Sequence, residues 1–458
     1  KVVKRYKCPI VFILPTNISN LKADNSGLFL YFSFEFFTQM KLVIKNINKL
    51  VQTEETTRKW VAGSDMKTIN FLEDAFIEIE NGLISNFGTM DQWNGIDDWN
   101  NTQIVDAEDG MVFPSYCDSH THLVHASTRE SEWIERIKGT SYKEIAENGG
   151  GILNSAKKLQ ETSFEDLLNQ AKDRLEKVIR SGTGAIEIKS GYGLTLESEL
   201  KMLRVIKELK KSSPITIKAT LLAAHALPTE FKGRKDDYLD LIIDEMLPIV
   251  EKEGLADYID IFCEEGYFSV SDLNKLLIAG KKHGLQAKTH VNQFTTQGGV
   301  KASIENGALS VDHLEIMSDE DMESLQNSSC IATFLPSCSF FLGIPYGPAR
   351  ELINKGLPVA LASDYNPGSS PNWNMNLVTS LACIKMNLTP EEAINASTIN
   401  SAYAMGLSNE LGSIAIGKKA NLFITKPMPS YGFMQYSFGE NNIEKIILNG
   451  NILNPNNE

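Results

Sequence analysis

Seven histidines stand in this chain of 458 residues: His120, His122, His125, His225, His283, His290 and His313. The tightest grouping is Asp118-Ser119-His120-Thr121-His122. In an extended chain, residues i and i+2 point to the same side, so His120 and His122 can reach one ion together. An H-x-H pair alone is a weak signal, and two ordinary histidines would give the same text. It gains weight from His290, which ends the run QAKTH, and from Asp364, which follows PVALAS. Three imidazoles and one carboxylate make a borderline-hard divalent site suited to Zn²⁺ or Fe²⁺, and the sequence does not choose between them. His313, in Val311-Asp312-His313-Leu314-Glu315, follows yet another apolar run. Its alternative is a core histidine satisfied by backbone. His283 lies in KKHG and reads as a solvated helix-terminal residue.

Such residues need elements to bring them together. Apolar runs at 111–117, 184–189, 215–223, 258–263, 286–290, 308–312, 330–334 and 358–362 read as strands. Amphipathic segments such as 164–180 and 197–209 read as helices between them. Eight strands alternating with helices is the rhythm of a parallel α/β barrel of the (β/α)8, TIM-like kind. Five of the histidines fall at or just after a strand end, which in a barrel is the face where active sites are built. An open doubly wound sheet is the alternative, weakened because no G-x-G-x-x-G follows an early strand. The two ends read differently. The stretches 76–80 and 83–87 flank Asn81-Gly82, a type I′ hairpin signal, and 443–448 precedes Asn449-Gly450. We therefore expect a barrel over 113–405 and a small β-sandwich domain assembled from 40–112 and 406–458.

At this point a resemblance emerges. DSHTHLV (118–124), GTSYKEIAENGGGI (139–152), EIKSGYGL (187–194), AAHALP (223–228), THVNQF (289–294), VDHLE (311–315) and SDYNPGSSP (363–371) resemble the amidohydrolase superfamily. Within it they resemble the imidazolonepropionase family of histidine degradation. H-x-H is shared by the superfamily, whereas KSGYGL, the GGGI stretch and DYNPGS are specific to the family. The resemblance runs from Met40 nearly to the C-terminus. It implies one divalent ion, Zn²⁺ or Fe²⁺, on His120, His122, His290 and Asp364. It implies substrate contacts from Arg129, Tyr142, Tyr192, His225, Asn366, Gly368 and Ser369, and hydrolysis of the cyclic amide 4-imidazolone-5-propanoate to N-formimidoyl-L-glutamate. The residue types suit this: a guanidinium fork at Arg129 matches a carboxylate tail. A surface ion pair of Arg129 with Glu130 or Glu132 is its alternative. Tyr192, between two glycines, suggests a tight loop presenting the ring, or else a loop-packing aromatic. The turn at 366–369 has N–H groups that could bind an anionic or carbonyl oxygen, unless it is a plain turn.

One residue departs from the family pattern. Three positions after His290, many members carry glutamate; here it is Gln293. An amide can hold a ring N–H or C=O but cannot exchange a proton at neutral pH. Gln293 is thus a substrate contact, and proton transfer falls to His313 and Asp364. The same change weakens a nucleobase-type deaminase reading. A two-metal hydrolase would need a carboxylated lysine at the end of the fourth strand; that strand ends Ile261-Phe262-Cys263-Glu264, and Lys189 ends an earlier one. Another mononuclear cyclic-amide hydrolase, or a binding-only barrel, remains as an alternative.

Composition sets the outer bounds. Lys and Arg total 44 against 58 Asp and Glu, a formal charge of −14, which argues against a nucleic-acid or anionic-membrane partner and favours a soluble protein, while the small-molecule partner is what the resemblance implies. The six cysteines form no C-x-x-C pair and read as buried thiols of a reducing compartment, with Cys117 as strand core. No run reaches the ~18 apolar residues of a membrane helix. Lys1, Lys4, Arg5 and Lys7 precede a short apolar run, a poor imitation of a signal peptide. We expect Met40 to be the biological start, residues 1–39 to be an upstream extension, and the location to be cytoplasmic. Barrels of this type often pair, which leaves a homodimer open. His125 has no assigned role.

Overall fold

The computed structural model describes residues 41–140, 144 and 150–453. The expected extension and start at Met40 lie outside them. The first strand, β1 (Lys41–Val51), pairs antiparallel with β2 (Phe71–Glu80), and β2 with β3 (Leu83–Thr89). Between the last two, Asn81 and Gly82 have φ of 53° and 79°, the left-handed pair that a type I′ turn requires. The short β4 (Thr102–Asp106) and β5 (Val112–Pro114) run parallel to successive halves of β1.

Eight parallel strands follow: β6 (Tyr116–Thr121), β7 (Thr183–Lys189), β8 (Thr216–Ala224), β9 (Tyr258–Cys263), β10 (Gln286–Val291), β11 (Ser310–His313), β12 (Ile331–Phe334) and β13 (Val359–Leu361). Each pairs with the next in chain order. The last meets the first through a parallel bridge of Thr121 with Tyr365, where the Asp364 N–H donates to the His120 carbonyl at 3.0 Å and the His122 N–H to the Tyr365 carbonyl at 2.8 Å. This is the expected barrel. Several of its helices bury a stripe against it. In Phe164–Arg180, Leu167, Ala171, Leu175 and Val178 face inward at helical spacing, and Ser163 caps the start by accepting from the Asp166 N–H.

One expected strand, 111–117, is in fact two. The Ser115 N–H donates to the Asn421 carbonyl and the Tyr116 N–H to the Gly182 carbonyl, both at 2.9 Å, so the chain leaves one sheet and enters the other between adjacent residues. His120 therefore lies within β6, not behind it.

The chain ends with β14 (Leu422–Thr425), β15 (Ile443–Leu448) and β16 (Asn451–Leu453). Asn449 and Gly450 form a second left-handed pair, φ 49° and 75°. β14 docks on β5, giving one eight-stranded sheet from both chain ends, ordered β16-β15-β14-β5-β1-β2-β3 with β4 beside β1. It curls so that a Leu83–Lys419 bridge joins its arms, and Leu42, Ile44 and Ile77 share a core with Ile414, Leu422 and Ile447. The sandwich-like core is thus enclosed by a single folded sheet. Among the described residues, no helix is long and apolar enough to cross a membrane.

Candidate active site

The interior of the barrel near the histidines is charged. Lys189 ends β7 fully buried, its ammonium 2.6 Å from Glu187, 2.9 Å from Asp260 and 3.7 Å from Asp312. Burial alone would lower its pKa, but the three carboxylates prevail and raise it. Lys288, on β10, also bonds Glu187 and donates to the Ser119 carbonyl at 2.9 Å. The carboxylates turn outward from this layer to the histidines above. Asp312 lies 2.7 Å from His120 Nδ1, and Asp260 lies 2.8 Å from His290 Nδ1. Each Nδ1–H is spoken for by a carboxylate, which fixes the tautomer and leaves Nε2 as a lone pair.

Those lone pairs converge. His120 Nε2 and His122 Nε2 each lie 3.6 Å from Asp364 Oδ1, and His122 Nε2 lies 3.4 Å from His290 Nε2. His120 Nε2 is buried with no hydrogen-bond partner among the described residues. Burial holds the pKa values of His120, His122 and His290 well below 6.5, so all three are neutral, as metal ligands must be. Acceptor nitrogens facing one another around a carboxylate fit a divalent cation. His225 and His313 also fall into ligand-distance groups with these residues, His225 with His122 and His290, His313 with His120 and His290. Their environments differ. The His225 Nδ1–H donates to the Gly191 carbonyl at 3.0 Å, and burial lowers its pKa to about 4. His313 Nδ1 faces Glu315 Oε1 at 3.3 Å; burial opposes its charge, but Glu315, Asp364 and Asp312 outweigh that and hold it at about 9. Burial pushes Asp364 up to about 6, with His313 pulling the other way. The backbone is left-handed at His313 (φ 87°), Leu314 (61°) and Asp364 (53°), and such strain gathers where function dictates geometry.

Above the histidines opens a cleft lined among others by Arg129, Tyr192, His225, Gln293, Asn366 and Ser369. Tyr142 lies outside the described residues. Arg129 is paired with Glu132 at 2.6 Å, as its alternative reading held, yet it is buried and lines the cleft. Its guanidinium lies where a Cβ on Gly368 would stand, 2.0 Å from Nη1, so glycine is needed there to admit it. The turn at 366–369 corrects an expectation. The N–H groups of Gly368 and Ser369 both donate to Asn366 Oδ1 at 2.8 Å and are not open to a ligand. The turn closes on itself, and Asn366 Nδ2 and Ser369 Oγ approach Asp364 instead. Gln293 Nε2 lies 3.5 Å from Cys338 Sγ.

The Tyr192 loop is tight, as its glycines suggest. Glu199, in the helix Leu196–Ser212, accepts from the N–H groups of Gly191, Gly193 and Leu194 at 3.0, 2.7 and 2.8 Å. The ring of Tyr192 stands 5.7 Å from that of His122 and 5.5 Å from that of His225. His125 is buried, its Nδ1 3.1 Å from the His122 carbonyl; burial, then Arg174, push its pKa to about 3. Cys117 is strand core. His283 caps the helix Val270–Lys282 and meets Glu251 at 2.7 Å, away from the site.

Sequence reading missed Glu187, Lys189, Asp260, Lys288 and Asp312 as a group, and Glu199. A signal existed: charged residues two apart in an otherwise apolar strand, as in AIEIK, or a lone one as in YIDIFC, must point into the barrel.

Residues 111–453 match the model of the amidohydrolase family. Imidazolonepropionase from Christiangramia forsetii is 55% identical over 414 residues, 90% of this chain and 100% of that protein. Imidazolonepropionase from Clostridium tetani is 40% identical, covering 90% and 98%. Among solved structures, E. coli guanine deaminase superposes with a TM-score of 0.69 at 12% identity, covering 90% and 99%. The 5-methylcytosine deaminase of Klebsiella pneumoniae gives 0.67 at 15%, covering 90% and 98%. The two deaminases share the fold alone. By the family model and the identity to curated relatives over nine-tenths of its length, the chain belongs to the amidohydrolase family and, within it, to the imidazolonepropionases.

Proposed function

We propose that the cleft opens the ring of 4-imidazolone-5-propanoate by hydrolysis, giving N-formimidoyl-L-glutamate, with one Zn²⁺ or Fe²⁺ held by His120, His122, His290 and Asp364. The observation that carries this is the meeting of Nε2 lone pairs and Asp364 Oδ1 around one point. Bound there, the ion supplies Lewis-acid activation of water and of the ring carbonyl. Asp364 turns Oδ1 to the histidines, and its Oδ2, 3.3 Å from Ser369 Oγ, is the base that takes the proton of the attacking water. His313, kept protonated by Glu315, faces the developing oxyanion and delivers a proton to the ring nitrogen as the C–N bond breaks. His225 is neutral with Nδ1–H engaged, so its Nε2 accepts a ring N–H. Gln293 holds the ring amide without exchanging protons. Arg129 grips the carboxylate tail and Tyr192 covers the ring, turning binding into orientation, and the family resemblance adds Tyr142 as a further substrate contact.

The test is loss of the ultraviolet absorbance of freshly prepared 4-imidazolone-5-propanoate, before and after chelation and with metal added back. Turnover that vanishes with the ion and returns with Zn²⁺ or Fe²⁺ is expected. A folded, metal-loaded protein that leaves the absorbance unchanged would overturn the reading.

A further inference from the structure

A second group of donors lies beside the first. His313 at the end of β11, Glu315 two residues on, and Cys338 in the helix Pro336–Leu342 each offer a ligand atom, and these atoms lie within 4.8 Å of one another. All three side chains are buried. Glu315 Oε1 is shared between His313 Nδ1 at 3.3 Å and Ser339 Oγ at 3.5 Å. Its other oxygen, Oε2, is buried with no hydrogen-bond partner among the described residues. A carboxylate oxygen shut from water without a partner is costly, so Oε2 has acceptor capacity that a cation could take up.

A nitrogen, a carboxylate and a sulfur form a softer donor set than the three imidazoles and carboxylate of the catalytic ion. Thiolate shifts preference toward Cd²⁺ and Zn²⁺ and away from Mg²⁺ or Ca²⁺. We propose that His313, Glu315 and Cys338 are a second, inhibitory site for a soft or borderline dication such as Cd²⁺ or excess Zn²⁺. On binding, the Cys338 thiol proton and the His313 Nδ1 proton both leave to solvent, Glu315 Oε2 gains its missing partner, and His313 Nδ1 exchanges its contact with Glu315 for the ion. A His313 bound through Nδ1 cannot carry the second ring proton. Occupancy therefore stops turnover, a consequence that rests on the proton-donor role given to His313 above.

The test uses holoenzyme carrying its catalytic ion and freed of excess metal. Titration with Cd²⁺ should add one equivalent without displacing the first ion, as read by metal content. It should raise the thiolate-to-cadmium charge-transfer absorbance in the ultraviolet, and turnover should fall in step. C338A, checked for its catalytic ion as proof of folding, should lose the absorbance and need about a hundredfold more Cd²⁺ for half-inhibition. E315Q keeps the thiol and should weaken the added equivalent by about tenfold or more. No charge-transfer band in the parent protein, or a band undiminished in C338A, would overturn the site. A band that appears while turnover stays complete would keep the site and remove His313 from proton transfer, so the two readings fail separately.

Discussion

Asp364 is asked to do two things with one carboxylate. Its Oδ1 stands 3.6 Å from both His120 and His122, while Oδ2 meets Ser369 Oγ at 3.3 Å. One oxygen is thus placed for the ion and one for a proton, and alanine removes both. In a metal-loaded Asp364→Ala protein, turnover should fall by on the order of a thousandfold or more, and near-normal kcat would end its role as base. Arg129 makes the opposite kind of contribution. It exchanges no proton at neutral pH and is held by Glu132 and by the space Gly368 leaves. Replacing it with methionine keeps the stem and removes the fork. KM should rise about tenfold to a hundredfold with kcat largely kept, since a charged hydrogen bond is worth ~1.5–3 kcal/mol. An unchanged KM would remove Arg129 from the tail-binding role.

Elements explain why some of this was legible and some was not. The barrel strands are short apolar runs buried on both faces, and helices such as Phe164–Arg180 bury residues at their own period, so both could be read locally. Both Asn-Gly hairpins were legible for the same reason. The break at Ser115 was not. The text runs apolar through it, and what divides it are hydrogen bonds to Asn421 and Gly182, partners that only the folded chain supplies. In the site, His120, His122, His290 and Asp364 could be found by type and position. The layer that orients them could not be assembled without the register of four neighbouring strands, β7 to β10, and β11 beside them. Glu199 shows how an element can matter through its backbone contacts. It satisfies three buried N–H groups of the Tyr192 loop, and a Cβ at Gly193 would meet the Glu199 backbone nitrogen at 2.4 Å. Glu199→Ala should cost about 3 kcal/mol or more of stability, at ~1–3 kcal/mol for each donor left unpaired. KM should rise with it as Tyr192 loses its place. A lowered melting temperature with KM unchanged would make Glu199 a purely structural clamp.

For the whole molecule, the question is what the barrel gains from the ion. The inner layer sets Glu187, Asp260 and Asp312 against Lys189 and Lys288, three negative charges to two positive, all fully buried. Asp364 adds a carboxylate above it, and the surrounding histidines His120, His122 and His290 are neutral. Excess negative charge in a closed interior opposes folding unless a cation joins it. The donor set forms only when β6, β10 and the segment after β13 are together, so an ion bound there favours the closed barrel over the unfolded chain. Such linkage is worth about 4 kcal/mol at a thousandfold excess over Kd. Chelation should therefore lower the thermal midpoint by several degrees, and added Zn²⁺ or Fe²⁺ should restore it together with turnover. Because Lys189 holds two of the carboxylates that orient the ligands, Lys189→Met should lower the midpoint and also shrink the gap between chelated and loaded forms. A midpoint indifferent to chelation in the parent protein would mean that the inner layer is balanced without the ion, and that the ion serves chemistry alone.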